Sequence, residues 1–489
     1  MEKLTQFERM FHPRSVAVIG ASANEAKFGG RYMATLQEFG FKGELYPVNP
    51  NETEVSGRTA YPTVRDVPGP IDFAIISVPA RAVPTVLEDC VAKGVPAAEI
   101  FTAGFSETGE DEGRRLEAEV VNIARKGIKL IGPNCFGIYC PAGGLTLLPG
   151  SDFPRESGPV AFISQSGGHA TEFARDASGW GIRFSKVVSY GNACDINEAD
   201  LLEYLAQDEE TQIIAAYIEG PRAGRRLLSL VQEVSMSKPV IIWKAGLTED
   251  GARAVRSHTA SLAGEEAIWN ALFKQTPALQ VSNLEELIET TVALQHLPPT
   301  VGRRVAVIGG GGGVSVAAAD ACNRSGLEVP PFVREIQEQL RQILPPAGTS
   351  IRNPVDVGGP VVPPFVLQKV LETAAGAENV DTLIATQALH LFINESNRMR
   401  ALFETAGNFI EDSLRIPVET SRKHDKPIVM VLPVGSTEVR AIDTERQRRQ
   451  YRDHYLGQGV PVYPSLERAA RAVARVVEYH RKVAEIKGT

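Results

Sequence analysis

Residues 15–30 read SVAVIGASANEAKFGG, a short apolar run followed by a loop of small residues and then by helical sequence. An apolar run of this length bounded by Gly is typical of a buried parallel strand. Two later stretches have the same form, PVAFISQSGGHATEFA at residues 159–174 and RRVAVIGGGGGVSVAAADA at residues 303–321. Further β-branched runs alternate with helical stretches after each copy, so each copy is predicted to open its own α/β domain.

The later strands are predicted from similar runs in each third of the chain. They are LYPVNP, FAIISVP, AEIFTAG and IKLIGPNC in the first, FSKVVSYGN, IIAAYIEG and PVIIWKAG in the second, and TLIATQA, PIVMVLPVG and VPVYP in the third. Pro- and Gly-rich joints near residues 143–159 and 296–304 suggest domains at 1–140, 141–298 and 299–489. Apolar residues at helical spacing between Leu466 and Lys487 predict a closing helix.

Composition excludes several classes of function. The 489 residues are 43% hydrophobic and 22% charged, and the net charge of -8 provides no basic field for nucleic acid. The sequence contains no apolar run long enough for a membrane span and no signal-peptide core. Five cysteines without a Cys-x-x-Cys pair argue against a disulfide framework or a structural zinc site, so no metal site is predicted. A reducing cytoplasm is the expected location.

The first small-residue loop resembles a dinucleotide-binding loop and departs from it in two places. Ser22 stands where the second Gly of G-x-G-x-x-G belongs, and the next strand ends in Val48-Asn49-Pro50 without a carboxylate for a ribose. An NAD site is therefore disfavoured. A helix start after such a loop still suits a phosphate, because unpaired backbone N–H groups point outward there.

Other strand ends carry small residues and Pro, at Ser77-Val78-Pro79, Ala103-Gly104-Phe105 and Gly132-Pro133-Asn134-Cys135. Taken singly, each of these strand ends is better explained as a tight turn than as a binding site. Together they predict a groove along the carboxyl edge of the sheet, where open α/β sheets bind ligands.

His258 lies among small and hydroxylated residues in RSHTASLAG, after the strand WKAG, and is predicted on a loop where reactive groups are displayed. A lone His is more often structural. A phosphate-accepting His needs an acceptor for its second nitrogen, and Glu219 at the end of YIEG is a candidate, with a solvated strand-end residue as the alternative. Two predicted helix starts could bind the phosphoryl group through backbone N–H groups: Ser164, Gln165, Ser166, Gly167 and Gly168, and Gly309, Gly310, Gly311, Gly312 and Gly313.

The segments HPRSVAVIGAS, VNP, GPNCFG, FISQSGG, YIEG and SHTASLAG, in this order, resemble the α subunit of ADP-forming acetyl-CoA synthetases. More distantly they resemble the α subunit of succinyl-CoA synthetase. The resemblance runs from about Phe7 to about Pro464, and the histidine and GPNC blocks are its most specific parts. It implies an α/β fold with an N-terminal Rossmann-like CoA-binding domain followed by two flavodoxin-like parallel α/β domains.

The family converts acyl-CoA, phosphate and ADP into acid, CoA and ATP through an acyl phosphate and a phosphohistidine. The resemblance therefore implies an acid–thiol ligase in which His258 is phosphorylated and Glu219 supports it. It places CoA, a substrate, near Gly20, Ala21, Ser22, Val48, Asn49, Pro50 and Ser77, with Pro133, Asn134 and Cys135 near the thioester end. Ser164 to Gly168 and Gly310 to Gly313 match the two phosphate-facing helix starts.

The resemblance also implies a partner. The chain has no P-loop, so ATP/ADP and Mg²⁺ are expected mainly on a β subunit with a nucleotide-grasping domain, in an α2β2 assembly. A histidine serving two distant sites would have to move, with Gly246, Gly251 and Gly264 as candidate hinges. Ala260 stands where the family usually has Gly, so either this position is not left-handed or the loop lies differently from that of the family.

The sequence leaves three alternatives open. In the first, the acid is larger than acetate, branched or aromatic, with Phe105, Phe136 and Tyr190 as candidate pocket residues. The chain is a CoA-binding regulatory module without turnover, against which the presence of both His258 and Glu219 argues. A nicotinamide-dependent dehydrogenase is disfavoured by the missing carboxylate.

Overall fold

The computed structural model describes residues 2–148, 150–259, 266–359, 361–392, 408–435 and 438–488, without the side chains of residues 2, 3, 256–259, 391, 392 and 440. The chain divides into two compact units, Met1–Ile288 and Glu289–Thr489. Each unit is described by itself.

The first sheet follows the predicted pattern of strand, small-residue loop and helix. Its strands run in the order β2-β1-β5-β6-β7, all parallel, beside a small β3–β4 hairpin. The elements are β1 (Ser15–Ile19), β2 (Glu44–Val48), β3 (Glu54–Val55), β4 (Arg58–Thr59), β5 (Phe73–Ile76), β6 (Ala97–Ile100) and β7 (Lys129–Ile131), with α1 (Glu2–Phe11), α2 (Phe28–Phe39), α3 (Val83–Lys93) and α4 (Asp111–Ala124).

The second sheet belongs to the same unit. Its order is β13-β12-β11-β9-β10-β8, parallel except for the antiparallel edge strand β8. The elements are β8 (Gly137–Tyr139), β9 (Val160–Ser164), β10 (Phe184–Ser189), β11 (Ile213–Ile218), β12 (Val240–Lys244) and β13 (Leu279–Val281), with α5 (Gly167–Ser178), α6 (Glu198–Gln207), α7 (Gly224–Val234), α8 (Glu249–Thr259), α9 (Glu266–Gln275) and α10 (Leu284–His296).

The third sheet forms the second unit, in the all-parallel order β15-β14-β16-β17-β18. The elements are β14 (Val305–Gly309), β15 (Val355–Asp356), β16 (Thr382–Thr386), β17 (Ile428–Val431) and β18 (Val462–Tyr463), with α11 (Gly312–Arg324), α12 (Arg334–Ile343), α13 (Pro364–Ala375), α14 (Leu389–Phe392), α15 (Phe409–His424), α16 (Ile442–Gly457) and α17 (Leu466–Lys487).

The three sheets repeat one topology. In each, the opening parallel strand lies between the second and the third parallel strand, so the direction in which successive strands are added to the sheet reverses at the opening strand. Open α/β sheets bind ligands in the crevice at this switch point, outside the carboxyl ends of the strands. The topology therefore places the three small-residue loops at three crevices.

The strands predicted from sequence and the closing helix over 466–487 are confirmed. The hairpin β3–β4 and the strands β8, β13 and β15 were missed, because two or three residues are too short for a periodicity signal. One buried cluster extends from Phe7 to Ala278 and includes residues of both the first and second sheets. The first two predicted domains thus share a core, and the boundaries at residues 140 and 298 stay a prediction. Among the described helices, none has the length and apolar composition of a membrane span.

Candidate functional site

The first crevice begins at Gly20, directly after β1. Gly20 has a φ of +90°, in the left-handed region, and its N–H donates to the carbonyl of Val48 at 2.9 Å. A Cβ at this position would lie 2.3 Å from the carbonyl oxygen of Ser77. Conformation and space therefore both require glycine where β1, β2 and β5 end together.

Replacing Gly20 with Ala is expected to lower the free energy of unfolding by about 2–4 kcal/mol, the range of backbone strain plus a clash. Gly40 provides the matched control, because its φ is +94° but no described atom lies within 4 Å of the point that a Cβ would occupy. Gly40→Ala should therefore show the cost of left-handed φ alone, about 1–2 kcal/mol. Urea denaturation of both variants measures the difference, and equal losses would contradict the role assigned to the Ser77 carbonyl.

The predicted loop residues of this crevice lie together. The Asn49 side-chain amide donates to the carbonyl of Ala21 at 2.6 Å, which ties the end of β2 to the first loop. Ser22 is buried, and its hydroxyl donates to Glu52 at 3.3 Å. The Ala23 N–H also reaches Glu52, at 3.4 Å. The sequence has no carboxylate at the tip of β2 itself. Glu52, in the turn that follows, nevertheless accepts hydrogen bonds from the first loop.

A cavity of about 460 Å³ opens at the ends of β5, β6 and β7. Three of the residues that the resemblance places near CoA line it, Ser77, Asn134 and Cys135, and Val78, Pro79 and Ala103 of the predicted groove line it as well. The other lining residues are Phe28, Phe101, Thr102 and Phe136. Of the candidate pocket aromatics, only Phe136 is among them, whereas Phe105 and Tyr190 are fully buried elsewhere.

The Phe136 ring connects this cavity with the second crevice. It stacks on Phe101, with ring centroids 5.8 Å apart. On another side it lies against Gly167, where a Cβ would come within 2.7 Å of the ring. The cavity wall and the first turn of α5 are therefore in direct contact.

The second crevice contains the predicted helix start after β9. The Ser166 hydroxyl caps α5 by accepting from the His169 N–H at 3.3 Å, and Ser164 Oγ accepts from the Ser166 N–H at 3.1 Å. Within the described chain, the N–H groups of Gly167 and Gly168 have no hydrogen-bond acceptor. Two backbone donors at a helix start are what an anion requires.

Glu219 directly follows β11 on the other side of this crevice and is buried, 4% exposed. Gln165 holds it: its side-chain oxygen accepts from the N–H groups of Glu219 (2.5 Å) and Gly220 (2.9 Å), and its amide donates to the Gly220 carbonyl at 3.1 Å. The Tyr217 hydroxyl donates to Glu219 Oε1 at 3.2 Å. The buried position of Glu219 argues against a solvated strand-end residue, and the side chain of Gln165 fixes the backbone at Glu219 and Gly220.

Lys244, which contacts Glu219, and His169, which packs on Tyr217, were not predicted as site residues. Lys244 ends β12, and its ammonium donates to the Glu219 carbonyl at 2.7 Å. Burial lowers the pKa of Lys244 to about 8, although the Glu219 charge acts in the opposite direction. The His169 ring packs on Tyr217 and Trp243, with centroids 4.5 and 4.6 Å away. Their only sequence signal was proximity to a strand end or helix start.

The prediction of a loop around His258 is wrong for residues 249–259, which form α8. Small residues alone suggested a loop, but alanines, arginines and an acidic first turn are all compatible with a helix. The backbone of His258 lies in the last turn of α8, and its side chain is outside the described residues. Gly251 is inside the helix, Gly246 precedes it with a φ of +74°, and Ala260 and Gly264 fall outside the described residues.

In the second unit, Gly309 ends β14 and Gly311 caps α11 with a φ of +103°. The Gly311 N–H donates to Asp356 at 2.8 Å, and the Gly358 N–H donates to the same carboxylate oxygen at 2.9 Å. Asp356, which ends β15, therefore already occupies one backbone donor of this loop. Gly312 and Gly313 open the helix behind it.

The described residues contain no group of three or more His, Cys, Asp or Glu side chains suited to a metal ion.

Burial raises the pKa of the Cys135 thiol well above its usual value, and the neighbouring Glu99 raises it further. The thiol is therefore neutral and is not an activated nucleophile.

Three protein-family models match the chain in the order of its sheets. A CoA binding domain matches residues 14–141, a succinyl-CoA ligase like flavodoxin domain matches 157–294, and a ligase-CoA domain matches 305–450. Among solved structures, the Candidatus Korarchaeum cryptofilum dinucleotide-forming acetyl-coenzyme A synthetase 1, in complex with phosphate and ADP, superimposes with a TM-score of 0.82. It is 31% identical, and the match covers 100% of this chain and 99% of that chain.

Sequence matches to curated relatives agree with the family models and with the structural superposition. The α subunit of ADP-forming acetate–CoA ligase I from Pyrococcus furiosus is 37% identical over 97% of this chain and 98% of its own length. The α subunit of ligase II from the same organism is 43% identical over 71% of this chain and 75% of its own length. The ADP-forming acetate–CoA ligase of Methanocaldococcus jannaschii is 42% identical over 72% of this chain, but the match covers only 49% of that longer protein.

Proposed function

The chain belongs to the family of NDP-forming acyl-CoA synthetases, where it matches the α subunits, and we propose that His258 is its phosphoryl carrier. The observation that carries the proposal is the second crevice. There, a helix start with two N–H donors lies across from the buried carboxylate of Glu219, in the unit that also contains α8. These are the groups that a phosphorylated imidazole requires.

Three transfers complete the proposed reaction. A phosphate oxygen attacks the thioester carbonyl, the C–S bond breaks, and CoA leaves as a thiol. An imidazole nitrogen of His258 then attacks the acyl phosphate, the P–O bond breaks, and the carboxylate departs. Finally an oxygen of ADP attacks the phosphohistidine, the P–N bond breaks, and ATP leaves with neutral His258. Glu219 would fix the imidazole tautomer and stabilise its cationic phosphorylated form.

CoA binding is proposed at the first crevice. Its phosphates would lie against Gly20, Ala21 and Ser22, next to Val48, Asn49 and Pro50. The pantetheine arm would enter the 460 Å³ cavity past Ser77, with its thiol near Pro133, Asn134 and Cys135. The matching CoA binding domain, and the cavity at the ends of β5, β6 and β7 beside the switch point of the first sheet, support this placement.

The nucleotide site is proposed on a separate β subunit. Relatives of this length carry the name α subunit, whereas the M. jannaschii protein extends to about twice the matched length. We propose that the β subunit binds ATP/ADP and Mg²⁺ in an α2β2 assembly, and that Gly310 to Gly313 also face the transferred phosphoryl group. Mg²⁺ would shield the charge between the nucleotide phosphates.

Reconstitution tests this division. The chain is assayed for ATP formation from acetyl-CoA, phosphate, ADP and Mg²⁺, alone and with a nucleotide-grasping β subunit from the same source. ATP is expected only from the mixture, while the chain alone binds CoA in calorimetry. ATP formed by the chain alone would refute the division, and CoA binding without any turnover in the mixture would favour the regulatory-module alternative.

An acid larger than acetate is the second candidate for the acyl substrate. The observation that favours it is the aromatic wall of the cavity, formed by Phe28, Phe101 and Phe136. Comparing kcat/KM for acetate, branched-chain acids and aryl acids decides between the two, and a strict preference for acetate would contradict the second candidate.

A further inference from the structure

A buried acid lies beneath the proposed thioester cavity and has no part in the reaction above. Glu99 is in the middle of β6, paired with Ile75 and Ile131 on the neighbouring strands, and is 2% exposed. Its carboxyl group occupies the space left by the missing side chain of Gly137, where a Cβ would come within 2.2 Å of Oε2. The fold therefore makes room for this carboxyl group.

The polar partners of Glu99 come from two other elements. The Tyr32 hydroxyl on α2 and the backbone N–H of Ile138 in β8 face the carboxyl group, and both act to lower its pKa. The Tyr32 hydroxyl also lies 3.5 Å from the carbonyl oxygen of Phe136, and the Cys135 thiol donates to the Ile100 carbonyl at 3.4 Å. Tyr32 and Cys135 are the titratable groups that face Glu99, and both are themselves buried.

Burial raises the pKa of Glu99 to about 8, whereas the hydrogen bonds from Tyr32 and Ile138 favour the charged form. Among the described residues, no Lys, Arg or His forms an ion pair with Glu99. A carboxylate without a counter-charge in such a site is costly, and the carboxyl group avoids that cost by keeping its proton.

The protonated form also completes a chain of hydrogen bonds. When Glu99 keeps its proton, its O–H is available to donate to Tyr32 Oη, and the Tyr32 O–H then points to the Phe136 carbonyl oxygen, 3.5 Å away. Every donor in this chain then has an acceptor. Ionised Glu99 would instead take the Tyr32 hydrogen, and the Phe136 carbonyl would lose its donor.

We propose that protonated Glu99 is a positioning residue, which holds Asn134, Cys135 and Phe136 in the geometry that binds CoA, and that loss of its proton weakens CoA binding. The proposal rests on the proposed function, because it assumes that the cavity receives the pantetheine arm. Glu99 acts through Tyr32 and the 134–136 segment and does not contact CoA itself.

The test is the pH dependence of the CoA dissociation constant for wild type and Glu99→Gln, measured by calorimetry. Gln mimics the neutral acid and has no proton to lose. With a pKa of about 8, wild type should bind CoA about tenfold more weakly at pH 9 than at pH 6.5, relative to Glu99→Gln. Free CoA titrates identically in both experiments, so the ratio of the two dissociation constants isolates Glu99. Glu289→Gln, which removes a buried acid on α10, outside the first sheet, should leave the wild-type pH profile unchanged.

A second measurement detects the protonation of Glu99 through the thermal stability of the protein, without any ligand. Glu99 has a folded pKa of about 8 against 4.5 for an ordinary Glu. Between these values Glu99 is ionised in the unfolded chain and protonated in the folded chain, so its contribution to the free energy of unfolding falls as pH rises. The Tm of Glu99→Gln relative to wild type should therefore increase from pH 5 to pH 8 and then level off.

The outcomes separate the two proposals. A ratio of dissociation constants that stays constant from pH 6.5 to 9, with CoA binding intact, would overturn the role of Glu99 and leave the proposed function standing. Absence of CoA binding by wild type at every pH would overturn the proposed function together with this inference. If Glu99→Gln does not fold, proton uptake on CoA binding by wild type, from calorimetry in two buffers above pH 8, replaces the ratio. No uptake beyond that of CoA itself would overturn the proposal.

Discussion

Replacing His258 with Asn is expected to abolish phosphorylation of the chain and to lower ATP formation by at least about 10³-fold, as when a covalent nucleophile is lost. Asn has a similar size and retains polar atoms, but its amide nitrogen has no lone pair available to attack phosphorus. Phosphohistidine is stable in base and labile in acid, so radiolabelled ATP with Mg²⁺ and the β subunit provides the readout. The label should appear on wild type and be absent from His258→Asn.

CoA affinity separates this effect from misfolding. The proposed CoA site lies at the first crevice, so His258→Asn should bind CoA as tightly as wild type. His454→Asn is the matched control, because His454 is exposed on α16 in the other unit and should keep both label and activity. Label that persists at full level on His258→Asn would show that another residue carries the phosphoryl group.

Replacing Glu219 with Gln is expected to slow phosphoryl transfer by about 10²-fold, the usual cost of removing one oriented charge from a transition state. Gln keeps the volume and still accepts from Tyr217. The bonds of Gln165 go to backbone groups and would remain. What disappears is the negative charge opposite the cationic phosphoimidazole. Rapid-quench measurement of phosphohistidine formation in one turnover isolates this step.

Tyr217→Phe separates the charge from its hydrogen bond. It removes the hydroxyl that lies 3.2 Å from Glu219 Oε1 but keeps the carboxylate and the ring contact with His169. We expect less than about a tenfold effect, because the carboxylate keeps its charge and loses only one orienting hydrogen bond. If Glu219→Gln and Tyr217→Phe slowed the step equally, orientation rather than charge would be the contribution of Glu219.

Sequence patterns predicted the parts of the site that depend on strand ends. Gly20, Ser77, Ser164 and Glu219 each end or follow a parallel strand, and parallel strands bring their carboxyl ends to one edge. The predicted loop around His258 was wrong, because small residues are common both in loops and in helices. The role of His258 as phosphoryl carrier stays a prediction. So does the expectation that the helix starts of α5 and α11 meet at one phosphoryl group.

Other features depend on contacts between residues far apart in sequence. Glu99 lies 67 positions from Tyr32 and 38 from Gly137, so no local pattern connects them, and in the sequence it looks like a polar residue that interrupts a strand. Asp356 binds the Gly311 N–H across 45 positions. In the sequence, Lys244 is only a charged residue at a strand end. In the structure, its ammonium donates a hydrogen bond to the Glu219 carbonyl. Tertiary packing, which propensity does not encode, decides all three.

The contact between Phe136 and Gly167 has a consequence for the fate of an unstable intermediate. A mixed anhydride of a carboxylic and a phosphoric acid is hydrolysed by water, and every molecule lost in this way wastes the energy of one thioester. Only the thickness of one aromatic ring separates the cavity from the first turn of α5. In the proposed reaction, the anhydride would thus move only past this ring between its formation and its reaction. Coupling efficiency, counted as ATP made per thioester cleaved, would then depend on an apolar side chain that takes no part in any bond-making step.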